Sequence, residues 1–235
     1  KSEAFVMNNS NYYTFSKASH GERDSLKKIL VTDGKKMTLN EFESWEKNYT
    51  LESLQRMLQD AYIIINGDIN LDTVDGLGIG TSFIPFRGTI EVSGQNRWIH
   101  YNINENNVGA NNNYIGFIAY SSGSSISGLN IDGTITITSD GNQNRFFIGP
   151  VLGYGLETSI EGCVVDVTIN ANHCISKSIT NSTAGGLIVG GLVGSLDNKS
   201  SGEINDCNAN VTISSITNKA LNIGGIAGSY SGYIN

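Results

Sequence analysis

Four short segments in the second half of the chain repeat one another: IGFIAY (Ile115–Tyr120), IGPVLG (Ile148–Gly153), VGGLVG (Val189–Gly194) and IGGIAG (Ile223–Gly228). Placed together without gaps, each reads aliphatic, Gly, variable, aliphatic, small or aliphatic, then Gly or Tyr. A second unit follows the first three: ISGLNIDGTI (Ile126–Ile135), IEGCVVDVTI (Ile160–Ile169) and INDCNANVTI (Ile204–Ile213). A fourth copy opens with Ile234-Asn235, so the sequence stops in mid-repeat. Ile126 and Ile160 lie 34 residues apart, and Ile160 and Ile204 lie 44 apart. The cores match while the spacing varies, so the extra residues fall in loops. Self-similarity of this kind is the signature of a repeat architecture.

The columns of the longer unit give its geometry. Leu129, Cys163 and Cys207 share one column. Two positions on stand Ile131, Val165 and Ala209, then Gly133, Val167 and Val211, then Ile135, Ile169 and Ile213. Every second residue is apolar or small, which is the period of a strand with one buried face. The columns between, Asn130/Val164/Asn208, Asp132/Asp166/Asn210 and Thr134/Thr168/Thr212, are mostly polar and face outward. The first Ile of each unit stands three positions before the Leu/Cys column. That breaks the period of two and implies a corner near Gly128 or Gly162. Like residues at like positions in successive repeats imply a coil whose turns pair at about 4.8 Å. One turn alone cannot bury its apolar face, so stacking supplies the core. The sequence predicts an all-β fold, a right-handed parallel β-helix (solenoid). A β-sandwich and a propeller are the alternatives, but both favour hairpin turns of about two to five residues, and the in-register columns argue against them.

Composition agrees with stacking. Only 16% of residues are charged, against roughly 25% in an average globular chain. Like charges on neighbouring strands repel, whereas Asn, Ser and Thr supply polarity without that cost. Residues 1–60 carry nine Lys/Arg and nine Asp/Glu; residues 61–235 carry six and thirteen, and so hold the whole net charge of −7. This shift marks a boundary between an N-terminal helical cap or irregular segment, 1–61, and a β-helix, 62–235, truncated at its C-terminus. In the first segment Thr38-Leu39-Asn40-Glu41 fits a capping box ahead of Phe42 and Trp45. Thr50 opens a second amphipathic pattern with Leu51, Leu54, Met57, Leu58 and Ala61 on one face. Such a stripe is that of an ordinary packed helix. These helices are expected to cover the first turn and its open strand edge. The β pattern begins at Tyr62-Ile63-Ile64-Ile65 and continues through Gly88–Val92 and Trp98–Ile103.

The acidic balance excludes a non-specific nucleic-acid binder, which needs cations to displace counterions. The longest apolar-and-glycine run, Ala184–Gly194, has eleven residues, about half of the roughly 20 that a helical membrane span needs. The chain starts at Lys1 with no initiator Met or apolar signal core, and reads as a mature or excised fragment.

Gly191-Leu192-Val193-Gly194 resembles the GLUG motif of bacterial surface and secreted proteins, and Gly225-Ile226-Ala227-Gly228 is a close variant. Pro150-Val151-Leu152-Gly153 and Phe117-Ile118-Ala119-Tyr120 depart further. Phe86-Arg87-Gly88-Thr89-Ile90 is similar to the F-x-G-T-hydrophobic turn that precedes such repeats. The run Leu51–Leu71, ending in IIINGDINL, resembles their helix-then-strand opening. The resemblance covers residues 50–235. It implies adhesin-like surface proteins and non-catalytic segments of secreted peptidases, including IgA-specific metallopeptidases, and it carries no catalytic residues to transfer. The expectation is a non-enzymatic, secreted or cell-surface bacterial module without cofactor. It would be a rigid platform for cell adhesion, contacting host glycan, protein or matrix. A docking or spacer domain of a larger secreted peptidase is the first alternative, and a polysaccharide-active β-helix enzyme the second. The longest loop, Asn172 to Leu187, is the preferred contact segment.

Candidate chemistry is sparse. His20, His100 and His173 show no HExxH spacing, and the cysteines no CxxC. Cys163 and Cys207 sit in an apolar column and read as core packing, with a disulfide between turns or metal binding as alternatives; Cys174 lies beside His173. Asp68, Asn70, Asp72 and Asp75 start like a calcium loop, but Thr73 replaces the glycine and Ile79 the final Glu. An EF-hand is excluded, and turn carboxylates usually bond backbone or water. Asp132 and Asp166 share an outward column, as a glycosidase pair would, yet Asn210 continues it as a plain polar ladder. Gly76-x-Gly78-x-Gly80 opens no helix, which argues against phosphate binding. Thr134, Thr168 and Thr212 give a single column, short of the flat arrays that ice binding needs.

Overall fold

A computed structural model of the chain describes residues 4–7, 55–56, 58–65, 67–70, 78–106, 113–140, 145–174, 185–217 and 220–232. In chain order the strands are β1 (Ala4–Met7), β2 (Tyr62–Ile65) and β3 (Ile69–Asn70). Next come β4 (Thr89–Val92), β5 (Ile99–His100), β6 (Ile103–Asn106), β7 (Tyr114–Ile115) and β8 (Ile118–Ser122). The following coil holds β9 (Ser125–Ser127), β10 (Asn130–Asp140), β11 (Arg145–Ile148) and β12 (Leu152–Leu156). After it come β13 (Ser159–Glu161), β14 (Val164–Cys174), β15 (Gly186–Gly190) and β16 (Val193–Asp197). The last four are β17 (Ile204–Asn205), β18 (Asn208–Thr217), β19 (Leu221–Gly224) and β20 (Ala227–Ser231).

These strands form four sheets, in the orders β1-β2-β4-β9-β13-β17, β18-β14-β10-β5-β3 (with β6 also on β10), β19-β15-β11-β7 and β20-β16-β12-β8. Every ladder among the described strands is parallel. From β9 onward the chain visits the four sheets in the same order in each pass. The result is a β-helix-like coil, all-β and parallel, as the columns require.

The expected register holds through the longer unit. Ile126 pairs with Ile160 and Ile160 with Ile204. Ile131, Val165 and Ala209 align, as do Gly133, Val167 and Val211, and Ile135, Ile169 and Ile213. Leu129 and Cys163 are fully buried, and Cys207, one coil further, packs against the same core. The corner is where the break in period puts it. Gly128, Gly162 and Asp206 hold the same position in three coils, with φ of 69°, 60° and 50°. A left-handed residue turns the chain from the first sheet into the second, and glycine adopts that conformation without a Cβ clash.

The shorter unit departs from its gapless alignment. Leu152, Val193 and Ala227 align with one another, but Ile118, not Ala119, pairs with Leu152. The coil containing Gly116 is one residue shorter at this bend. In the later coils the glycines stand four apart, as Gly149/Gly153, Gly190/Gly194 and Gly224/Gly228. Their reason is proximity between the third and fourth sheets. A Cβ on Gly194 would lie 2.5 Å from the Gly153 carbonyl oxygen and 2.6 Å from the Ile148 nitrogen. Only hydrogen side chains let the two backbones fold back this closely.

The N-terminal segment contributes a strand, since β1 pairs in parallel with β2. The capping box at Thr38–Glu41, with Phe42 and Trp45, lies outside the described residues. Of the second expected helix, Gln55, Arg56 and Leu58 are helical, and Leu58 and Ala61 are buried; Leu51, Leu54 and Met57 lie outside the description. The Gln55 amide accepts from Gly80 N at 2.7 Å and donates to the Gly78 carbonyl at 3.4 Å. It thus satisfies backbone groups beside Ile79, whose bridge to Ile118 begins the fourth sheet.

Candidate functional site

The third and fourth sheets carry a cluster of four rings beside their shared bend. Phe147 lies between the core residues Phe146 and Ile148, so its side chain leaves the strand on the opposite side. Tyr114 is its ladder partner one coil earlier, and the two rings stack with centroids 5.4 Å apart. In the fourth sheet Tyr120 pairs with Tyr154, and their rings stack at 5.1 Å. The pairs meet edge to face, Tyr114 on Tyr120 at 5.0 Å and Phe147 on Tyr154 at 5.1 Å. Such offset and edge contacts suit the ring quadrupoles and hold the side chains in place. All four rings are half-buried. Partial burial raises the Tyr120 and Tyr154 phenols above their ordinary pKa, with neighbouring phenols adding to it and Asp197 adding to it at Tyr154. Both hydroxyls stay protonated at neutral pH and remain donors. Along the coil axis the same two columns continue as Ile188 and Ser195, then Asn222 and Ser229.

The cluster was not foreseen in the sequence. Aligning the shorter unit without a gap sets Tyr120 against Gly153, which conceals its pairing with Tyr154. The Tyr114/Phe147 pair was legible, because both stand immediately before the first aliphatic residue of the unit.

The outward columns of the second sheet are as read. His100, Asp132, Asp166 and Asn210 form one continuous column. His100 Nδ1 lies 2.6 Å from Asp132 Oδ1, and Asn210 Nδ2 donates to Asp166 Oδ1 at 3.0 Å. Thr134, Thr168 and Thr212 stack beside them. Asp68 Oδ1 accepts from Trp98 N at 2.9 Å, a structural bond of the kind turn carboxylates make. Asn70 pairs with His100 in the ladder, while Asp72 and Asp75 lie outside the described residues. Among the described residues no group of three or more His, Cys, Asp and Glu is placed to hold a metal ion. Gly78 and Gly80 flank Ile79 at the edge of the fourth sheet, and no helix N-terminus follows them.

A buried polar seam runs between the fourth and first sheets. Ser121 and Thr158 hydroxyls lie 2.8 Å apart, and the Asn198 amide spans to the Thr158 backbone. Next to it the Glu157 carboxylate accepts from Ser200 N at 3.1 Å and from the Ser201 N–H and hydroxyl. The Ser201 N–H is the main cause of a lowered Glu157 pKa. Most of the contact loop expected at Asn172 to Leu187 lies outside the described residues, as does His20.

No family model, curated protein or solved structure matches this chain.

Proposed function

We propose that this chain is a non-enzymatic, adhesin-like module of a secreted or cell-surface bacterial protein, binding host glycan through the ring cluster. In this reading the coil is right-handed, the hand that parallel crossovers take, and the N-terminal segment closes its first turn. The observation that carries the reading is the quartet Tyr114, Tyr120, Phe147 and Tyr154. Half-buried rings held by mutual packing offer apolar surface at little entropic cost, and their phenols supply fixed donors. A pyranose presents the complement, an apolar face of C–H groups ringed by hydroxyls. Sites for such ligands combine aromatic surface with a few placed polar groups. The GLUG-like repeats point to the same class of surface protein.

A glycan array probed with the whole chain tests this, followed by titration of the best binder against Tyr154→Ala and Tyr120→Ala. The expected result is a loss of affinity of about tenfold or more in each variant, with the melting midpoint kept within a few degrees. Absence of binding to any glycan, or unchanged affinity in both variants, overturns it.

One observation favours a polysaccharide-active enzyme as the second reading. His100 contacts Asp132, and Asp166 is the ladder partner of Asp132 one coil away; neighbouring strands stand about 4.8 Å apart, a spacing on the scale of the carboxylate pair of retaining glycosidases. A reducing-end assay over a polysaccharide panel decides it. Activity that Asp132→Asn abolishes would replace the adhesin reading.

A further inference from the structure

Cys163 and Cys207 occupy the same inward position in successive coils, one residue ahead of the ladder pair Val164 and Asn208. The Cys163 N–H donates to Cys207 Sγ at 3.4 Å, and Asn208 N donates to the Cys163 carbonyl at 2.8 Å. The two thiols are free in this structure. Neighbouring parallel strands put facing Cα atoms about 4.8 Å apart, inside the 4.4–6.8 Å range that a disulfide spans. Both Cβ vectors point to the same side, as their shared column requires. Cys163 is fully buried, whereas Cys207 is partly exposed.

We propose that Cys163 and Cys207 are a redox pair that closes into a disulfide between coils when the protein meets a disulfide oxidant.

The chemistry is asymmetric. The hydrogen bond between the thiols, with burial, pushes Cys163 up, while the same bond lowers Cys207 to about 7. The attacking group is therefore the Cys207 thiolate. It attacks one sulfur of a small disulfide such as oxidised glutathione, and one glutathione thiolate leaves. Cys163 gives its proton to solvent and attacks the Cys207 sulfur of the mixed disulfide, expelling the second glutathione. Two protein thiols lose two protons and two electrons, and one glutathione disulfide becomes two thiols.

The place of the bond gives it a purpose. Cys163 and Cys207 stand at the head of the ladder between β14 and β18, which runs from Val164 and Asn208 to His173 and Thr217. A covalent tie there fastens two successive coils to each other. This holds whatever the module binds.

The test is equilibration of the whole chain in a glutathione redox buffer, with thiols counted after unfolding and linked peptides mapped by mass spectrometry. Of three cysteines, the count should fall to one, with Cys163 and Cys207 in one linked peptide. The melting midpoint should rise and return to its starting value on reduction. Cys174→Ser should keep the link, which excludes the third cysteine as a partner. Three free thiols at equilibrium, a lone glutathione adduct on Cys207, or a link through Cys174 or between chains would each overturn the proposal.

Discussion

Asn198 reaches across one coil to Thr158, its Oδ1 accepting from Thr158 N at 2.9 Å and its Nδ2 donating to the Thr158 carbonyl at 2.8 Å. Both residues are buried. The amide thus stands in for a backbone peptide where the ladder turns a corner. Removing it leaves a buried N–H and C=O without those partners, and each such loss costs about 1–3 kcal/mol. Asn198→Ala should lower stability by about 2–4 kcal/mol, read by urea unfolding. A change under about 0.5 kcal/mol would mean that water replaces the amide.

The corner residues predict opposite signs. A Cβ on Gly162 meets nothing within 4 Å, so Gly162→Ala is charged only for its left-handed backbone. That costs about 1 kcal/mol. Asp206 already bears this strain at φ 50°, and Asp206→Gly should gain about 0.5 kcal/mol. Paired thermal melts check both, and equal effects of like sign would contradict a common corner.

At the bend between the third and fourth sheets the obstacle is steric instead. The three atoms nearest a Cβ on Gly194 are all backbone, at Gly153, Ile148 and Phe147. Backbone held in two ladders cannot step aside cheaply, so Gly194→Ala should cost about 2–3 kcal/mol. It should also disturb the near-ultraviolet circular dichroism of the ring cluster, since Phe147 moves with the strand.

Glu157 sets a pH dependence. Its folded pKa is lowered, chiefly by the Ser201 N–H. A depressed carboxylate stabilises the fold above its unfolded pKa and loses that contribution as pH falls through the folded value. Glu157→Gln should therefore melt below the wild type at neutral pH, with the gap closing on acidification through and below the ordinary carboxylate range. A gap that does not change with pH would remove the carboxylate from this role.

The sequence by itself determined the coil. Alternation in Leu129–Ile135 and its copies fixed which residues face the core, because a strand's side chains have a period of two, and identical columns fixed the register. The corner at Gly128 and Gly162 was legible for the same reason, as a break in that period. Tertiary structure decided what depends on backbone proximity between sheets. The one-residue contraction near Gly116 set Tyr120 over Tyr154, and only the close approach at Gly153 and Gly194 brought those rings against Tyr114 and Phe147. Asn198 and Thr158 meet across 40 residues without any repeat to announce them. Column patterns encode contacts along the coil axis; contacts around a coil depend on where each bend falls, and a single inserted or missing residue moves them.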